Sequence, residues 1–363
     1  MTRGSWVLYG ATGVTGQLIA EAAVRRGHRP TLAGRTVERL RSLGERLELP
    51  WQAVDLHDPA ALKGLVGSSA LTLLVAGPFH ETSRPVVEAC LATRAHYLDL
   101  ANEIPVLESI YARDSQARRA GVTLLPSVGF GTVAADTLVR HLVDFLPAAD
   151  RLDLTVDPYT AGSSPGARAN ALRVISEGSR VVRGGKLVPV RWGSKAPGAV
   201  IPDTARTVFS VPSGELSAAR RTTGIPHITV SRPSNLPSAV AGVLLPALSV
   251  LARSQTVQRR AEAGTAGASP VPDPTKRSRV WARAWEPEGR SATATLEAGE
   301  GYGFSAESAV LAVEAVLASP AAGAFTPGAL LGADFALRIP ETRRDDAHLD
   351  QGKTTKRVNQ HGD

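Results

Sequence analysis

The sequence predicts an α/β protein: an N-terminal Rossmann-type, doubly wound parallel sheet followed by a second α+β domain with a mixed or antiparallel sheet. Three features support this fold class. A glycine-rich turn follows an apolar strand near the N-terminus, short apolar runs alternate with helical patterns up to about residue 126, and longer alternating segments appear beyond residue 150. Alternating strands and helices are typical of a parallel sheet covered on both faces.

The glycine-rich turn, Gly-Ala-Thr-Gly-Val-Thr-Gly, lies between the apolar run 6–9 and a helical stretch beginning at Gln17. Glycines let backbone N–H groups approach a pyrophosphate at a helix N-terminus. We therefore expect a dinucleotide to bind Gly10, Ala11, Thr12, Gly13, Val14, Thr15 and Gly16. Two alternatives remain open: the turn could simply close an ordinary βα unit, and the threonine hydroxyls could cap the helix rather than bond phosphate.

The residues after the second expected strand indicate which nucleotide binds. NAD enzymes usually present Asp or Glu to the ribose hydroxyls there, whereas Arg accommodates the extra phosphate of NADP. This chain presents Arg35, with Thr36 next to it and Arg39 one helical turn further on. NADP(H) is therefore expected rather than NAD(H), unless Arg35 is only a solvated residue at a helix start.

Six strands are expected in the first domain, at 6–9, 31–34, 51–54, 71–76, 97–100 and 122–125. Helices are expected to begin near Gly13, Val37, Pro59, Arg84, Pro105 and Val133. These elements predict a nucleotide-binding domain over 1–130. A substrate and dimerisation domain is predicted over 131–340, its C-terminal part packing back on the first domain, and the polar segment 341–363 is expected to be disordered.

Ligands of open α/β sheets bind outside the carboxyl ends of the strands. Ala76, Gly77 and Pro78, after the fourth expected strand, are thus expected to border the nicotinamide ribose, and Phe79 to cover the ring. Asp55, after the third, could accept a hydrogen bond from the adenine amino group or cap the turn that follows it.

The composition of the chain argues against nucleic-acid binding and against disulfide stabilisation. The net charge of +7 comes without the interleaved basic and aromatic residues that bind nucleic acid, and the single cysteine, Cys90, excludes an internal disulfide. No signal peptide is evident, so a cytoplasmic location is expected. The apolar stretch 239–252 contains Pro246 and is too short to span a bilayer; a buried helix, a substrate-pocket wall and a membrane-surface contact are its alternatives.

Three segments together resemble the saccharopine dehydrogenase-like oxidoreductases: the Gly-Pro-Phe run 75–79, the Pro-Val-Val-Glu-Ala-Cys helix 85–90 and the His-Tyr-Leu-Asp strand 96–99. Within that family the chain is most similar to the trans-acting enoyl reductase branch. The resemblance implies reduction by NADPH of an unsaturated acyl or polyketide-type substrate. Two departures concern the substrate rather than the fold: Asn102 stands in the usual Gly-Glu segment, and Gly131 follows Phe130 where Asp is frequent.

Catalytic residues are harder to assign. None of the five tyrosines has a lysine four residues later, which argues against the Tyr-x-x-x-Lys pair of short-chain dehydrogenases. Tyr97 and Asp99, two apart on one strand, share a face and are the candidate catalytic pair, although both could instead pack beneath a helix.

A Gly-x-Ser-x-Gly sequence at 162–166 resembles the nucleophile elbow of serine hydrolases, but Pro165 lacks the N–H that an oxyanion hole needs. We expect Ser163, Ser164 and Gly166 to contact substrate instead. The scattered histidines show no metal-binding spacing, so no metal site is expected.

Three functions remain open. The first is an NADP(H)-dependent reductase of a C=C, C=N or C=O bond in a small, apolar substrate, favoured by a pocket that includes Val243, Leu244 and Leu248. The second is an amino-acid or imine reductase, which would need convergent arginines such as Arg168, Arg173 and Arg206. The third is a redox sensor that binds NADP without turnover. A homodimer through the second domain is a further expectation.

Overall fold

The computed structural model describes residues 5–160, 178–192, 201, 206–234, 240, 244, 248, 251–252, 254 and 275–349. Within these residues two sheets form, one of seven strands and one of nine. The predicted combination of a parallel N-terminal sheet and a second, mixed sheet is confirmed.

The first sheet is parallel throughout, with the order β14-β6-β5-β4-β1-β2-β3. Its strands are β1 Trp6–Tyr9, β2 Thr31–Gly34, β3 Trp51–Ala53, β4 Leu71–Leu74, β5 His96–Asp99, β6 Thr123–Leu125 and β14 Gly323–Ala324. The order reverses between β1 and β4, which is the topological switch point where open α/β sheets bind ligands.

The helices that cover this sheet and join it to the second are named in chain order. They are α1 Val14–Arg25, α2 Val37–Leu47, α3 Pro59–Gly67, α4 Phe79–Thr93, α5 Ile104–Tyr111, α6 Asp114–Ala120, α7 Phe130–Phe145, α8 Gly214–Thr223, α9 Gly301–Ala318 and α10 Pro327–Leu331, with a 3-10 turn at Phe335–Arg338. None of the helices in the described part of the chain is long and apolar enough to cross a bilayer.

The second sheet has the order β15-β13-β12-β7-β11-β8-β9, with β10 beside β11 and β16 beside β13. Its strands are β7 Arg151–Asp157, β8 Ser179–Arg183, β9 Lys186–Val190, β10 Thr207–Ser210, β11 His227–Ser234, β12 Ser278–Trp285, β13 Ser291–Ala298, β15 Arg343–Arg344 and β16 His348–Leu349. Only the β7–β11 pair is parallel among these pairings.

Helix α7 connects the two sheets. Its buried side chains belong to one apolar cluster with Leu152, Leu154 and Val280 of the second sheet and with Leu98 and Leu125 of the first. Alternation along β7 and β12 directs every second residue into this cluster. The carboxyl ends of the first sheet are therefore held next to the second sheet by a shared core.

Two helices begin earlier than the sequence predicts. Helix α4 begins at Phe79 rather than near Arg84, because Pro85 lies inside the helix instead of in its first turn. Helix α7 begins at Phe130 rather than near Val133, since the N–H of Val133 already donates to the carbonyl of Gly129. The seventh strand, β14, has only two residues and no sequence signal of its own.

Candidate nucleotide-binding cleft

The glycine turn packs so tightly that two of its glycines exclude any side chain. Gly10 has φ of +94°, and a β-carbon there would lie 2.6 Å from the backbone nitrogen of Ala76. A β-carbon on Gly16 would lie 2.3 Å from the carbonyl oxygen of Gly10. The N–H groups of Gly10 and Ala11 both donate to the carbonyl of Ala33. The turn is thereby fixed against both neighbouring strands, β2 and β4.

The N-terminus of α1 is open beside this turn. Its N-cap is Gly13, and no side chain caps the helix, so the threonines at 12 and 15 do not cap it. Both Gly13 and Val14 are exposed. Uncapped N–H groups at an exposed helix start suit an anion such as a phosphate.

The side chains that distinguish NADP from NAD lie at the end of β2. Arg35, Thr36 and Arg39 are all exposed, and Thr36 is the N-cap of α2 without a side-chain hydrogen bond. A cavity of about 390 Å³ opens nearby, lined by Thr12, Gln17, Glu38, Arg39, Ser42, Leu43 and Arg46. Thr12 and Arg39 thus line the same cavity, whereas Arg35 is not among its lining residues.

The residues after β4 border the turn from the other side. Ala76 contacts Gly10, and its carbonyl accepts a hydrogen bond from the Thr82 hydroxyl at 2.6 Å. The Gly77–Pro78 peptide bond is cis. Phe79 is buried in the apolar cluster under α4, so its predicted position over the nicotinamide ring stays a prediction.

Asp55 is exposed and bonds locally. Its Oδ1 accepts hydrogen bonds from the backbone and the ring of His57, both at 2.9 Å, and the backbone bond is the main reason that its pKa is lowered. Beside it, the Tyr9 hydroxyl donates to the carbonyl of Val54, and burial raises the Tyr9 pKa to about 12. This geometry favours the turn-capping alternative for Asp55.

Tyr97 and Asp99 share a face, as the sequence predicts, but that face is covered. Both side chains have 0% exposure, and the tyrosine hydroxyl donates to Asp99 Oδ2 at 2.6 Å. Asp99 Oδ1 accepts from the backbone N–H groups of Ala101 and Ser127. The arrangement favours a packing role, and catalysis by this pair remains an untested prediction.

A cluster of polar contacts connects the loops after β5 and β6 to the second sheet. Glu215, in the first turn of α8, lies against Gly131, where a β-carbon would come 2.4 Å from its Oε1. The same carboxylate pairs with Arg232 of β11 at 2.8 Å. The N–H of Gly214 donates to the carbonyl of Asn102. We call Asn102, Gly131, Glu215 and Arg232 the seam cluster.

Several expectations fall outside the described residues: those for Ser163, Ser164, Gly166, Arg168, Arg173 and Val243. Of the apolar stretch 239–252, Val240, Leu244, Leu248 and Leu251 are exposed, at spacings that place them on one helical face. This exposure disfavours a buried helix. Among the described residues, no three metal-ligating side chains converge.

Residues 6–125 match the family model described as the saccharopine dehydrogenase NADP binding domain. This segment, a third of the chain, is similar to that domain. It includes the glycine turn, Arg35 and the residues after β4, and the expectation of NADP(H) as the cofactor is confirmed. The glycine cradle, which a β-carbon would fill, fits a bound pyrophosphate.

Two proteins called trans-acting enoyl reductase are similar to this chain over 144 residues. The protein from Mycobacterium leprae is 35% identical and that from Mycobacterium ulcerans 32% identical, each over 38% of this chain and 34% of the relative. The matched part of the chain thus spans about a third of the length of these relatives.

The fold of the chain is similar to that of one solved enzyme structure. Saccharopine dehydrogenase (L-Glu forming) from Saccharomyces cerevisiae superposes with a TM-score of 0.61 at 12% identity, covering 95% of this chain and all of that one. At this identity the likeness concerns the fold alone.

Sequence reasoning does not single out Glu215 or Arg232. Their positions near Asn102 and Gly131 depend on how the second sheet docks on the first. The sequence offers one indirect signal, since Asn102 and Gly131 differ from the residues that the resemblance to the saccharopine dehydrogenase-like oxidoreductases implies there.

Proposed function

We propose that this chain is an NADP(H)-dependent oxidoreductase that reduces a C=C bond, or a C=N or C=O bond, in a hydrophobic acyl or polyketide-type intermediate. The glycine cradle at the switch point carries the proposal. NADPH, when bound with its pyrophosphate in this cradle, would supply a hydride from its nicotinamide ring. The protein's own part is to hold the nucleotide and to orient the acceptor.

The names of the relatives support an unsaturated acyl substrate, since both are called trans-acting enoyl reductases. Electrostatics support it as well. Arg206 is paired with Asp157, and Arg232 with Glu215, so the positive charge of each is balanced by a carboxylate. The amino-acid reductase alternative requires a substrate with several carboxylates. Such a substrate would bind best to arginines that are not already paired with carboxylates of the protein.

The apolar residues described in the stretch 239–252 add to this support. Val240, Leu244 and Leu248 are 39–47% exposed, and exposed apolar side chains on one helical face can contact an acyl chain. The assignments of Ser163, Ser164 and Gly166 to substrate are retained as part of the proposal.

The experiment that tests the cofactor site is a tryptophan-fluorescence titration with NADPH and, separately, NADH. In Arg35→Ala we expect NADPH affinity to fall about 10- to 100-fold, because a charge-assisted hydrogen bond contributes about 1.5–3 kcal/mol, while NADH affinity hardly changes. Arg41→Ala is the matched control, since Arg41 lies on α2 but stacks over Trp51. Absence of binding by either nucleotide would refute the proposal.

Turnover then separates the alternatives. NADPH consumption with trans-2-hexenoyl-N-acetylcysteamine is expected to exceed consumption with a cyclic imine carboxylate. The opposite order would favour the amino-acid or imine reductase. Tight NADPH binding without consumption by any acceptor class would favour the redox sensor.

A further inference from the structure

The seam cluster contains a buried carboxylate that the nucleotide-binding role does not explain. The side chain of Glu215 has 0% exposure, and its Oε2 has no hydrogen-bond partner in the described part of the chain. Removing a carboxylate from water is unfavourable unless hydrogen bonds or an opposite charge compensate for the lost hydration. Its Oε1 accepts a hydrogen bond from Arg232, so the guanidinium compensates in part for the burial of this carboxylate.

Gly131 makes this position available to Glu215. A β-carbon on Gly131 would lie 2.4 Å from Glu215 Oε1 and 3.8 Å from the side-chain nitrogen of Asn102. Any larger residue at 131 would displace the carboxylate. Glycine at this position therefore lets a negative charge from α8 lie against the first turn of α7, where the helix dipole favours it.

Arg232 is held at several points but is not enclosed. Its Nη1 donates to the carbonyl of Val156 at 3.2 Å, and its Nη2 donates to Glu215 at 2.8 Å and to the Ser213 hydroxyl at 3.4 Å. These contacts engage three of the five N–H donors of a guanidinium. The Arg232 side chain is 27% exposed. The guanidinium of Arg232 is thus partly exposed on one side and paired with a buried carboxylate on the other.

The seam cluster lies on the side of the glycine turn opposite to Arg35. In the sheet order, β2 is next to β1 on one side, whereas β5 and β6 are two and three strands away on the other. Strands are spaced about 4.8 Å apart, which places the end of β5 roughly 10 Å from the turn. A dinucleotide with its 2′-phosphate at Arg35 therefore extends its other half toward this edge.

We propose that Arg232, positioned by Glu215, binds the carbonyl oxygen of the acyl substrate. This inference rests on the proposed function and names the group that recognises the acceptor. Hydride addition from NADPH to the β-carbon of an enoyl thioester breaks the C=C π bond and leaves an enolate, whose negative charge lies on the carbonyl oxygen until a proton from water adds to the α-carbon. A fixed guanidinium stabilises the charge that develops on that oxygen. Because Glu215 balances the charge of Arg232, the pair suits a neutral carbonyl better than a carboxylate. Arg232 is the substrate-binding residue and Glu215 is a positioning residue.

The test is a calorimetric measurement of binding with saturating NADP⁺, which permits no reduction. The probes are trans-2-hexenoyl-N-acetylcysteamine and the thioether of the same length, which lacks the carbonyl. Wild type is expected to bind the thioester at least about 10-fold more tightly, as one charged hydrogen bond allows. Arg232→Met is expected to lose this preference, and Glu215→Gln to reduce it several-fold. Arg232→Lys, which keeps the charge but not the fork geometry, is expected to fall between.

Arg279→Met is the matched control, because Arg279 is paired with Glu297 on another strand of the same sheet. It is expected to keep the full preference. Equal affinity of wild type for the two probes, with NADP⁺ bound, would overturn the role of Arg232 but not the proposed function. A preference of wild-type size in both Arg232→Lys and Glu215→Gln would also overturn it, even if Arg232→Met failed to fold. Failure of NADP⁺ to bind any of the proteins would instead overturn the proposed function.

Discussion

The hydroxyl of Tyr97 donates a hydrogen bond of 2.6 Å to Asp99, and neither side chain reaches solvent. The other oxygen of Asp99 accepts from Ala101 and from Ser127, which has φ of +64°. One carboxylate thus links β5 to the loop after β6. That loop leads into α7, whose second residue is Gly131 of the seam cluster.

Tyr97→Phe tests whether this pair is structural. The change removes one buried hydrogen bond and leaves both backbone bonds of Asp99, so we expect a loss of about 1–2 kcal/mol in the free energy of unfolding, measured in urea. NADPH affinity is expected to stay within about twofold, given the size of typical remote effects. Loss of turnover at unchanged stability and unchanged NADPH affinity would contradict the structural role and support a catalytic one.

Asp99→Asn tests the pH dependence of stability. Burial raises the pKa of Asp99 to about 6, above the value near 3.9 for an unfolded chain. The folded state therefore binds the proton more tightly, and stability from this group is present below about pH 4 and is lost as the pH rises through about 6. Relative to the variant, wild type should lose about 2–3 kcal/mol between about pH 4 and pH 7. A difference that does not change with pH would exclude Asp99 as the source.

Gly16→Ala tests the tightness of the cradle. The added methyl would lie 2.3 Å from the carbonyl of Gly10, so the turn must shift. We expect a loss of about 3 kcal/mol or more, together with weaker NADPH binding. Gly64→Ala is the control, because Gly64 also lies within a helix but has nothing within 4 Å of its β-carbon position. It should be neutral or stabilising by up to about 1 kcal/mol, and comparable losses in both variants would argue against the cradle.

Glu314→Gln tests how much the contact between α1 and α9 depends on charge. Glu314 accepts two hydrogen bonds of 2.8 Å from Arg26 and contacts His28 at 2.9 Å. The bond from Arg26 is the main cause of its lowered pKa, so the stabilisation is present above the unfolded pKa near 4.3 and is lost as the pH falls. The partners are partly exposed, so the expected loss is below about 1 kcal/mol and shrinks in high salt.

The comparison for that measurement is Glu307→Gln. Glu307 pairs with Arg25, whose side chain is 61% exposed, and its replacement is expected to cost less than that of Glu314. A larger or salt-independent loss in Glu314→Gln would show that packing rather than charge joins the two helices.

The sequence alone determined six of the seven strands of the first sheet, and its cofactor. Glycines at 10, 13 and 16 and the run of strands and helices that follows are local signals, because positive φ, close backbone approach and helical or strand periodicity are properties of neighbouring residues. Arg35 is equally local, since it follows its strand directly. The early starts of α4 and α7 were missed because an internal proline and a glycine N-cap weaken the usual signals of a helix start.

Only the tertiary structure decided what surrounds the acceptor end of the cleft. Glu215 and Arg232 lie more than 80 residues after Gly131 and Asn102, and no periodic pattern encodes their meeting. It depends on α7 packing between the two sheets and on the register of β11. Likewise, the shared face of Tyr97 and Asp99 follows from strand alternation, but whether that face is open or covered depends on the helices that pack over it.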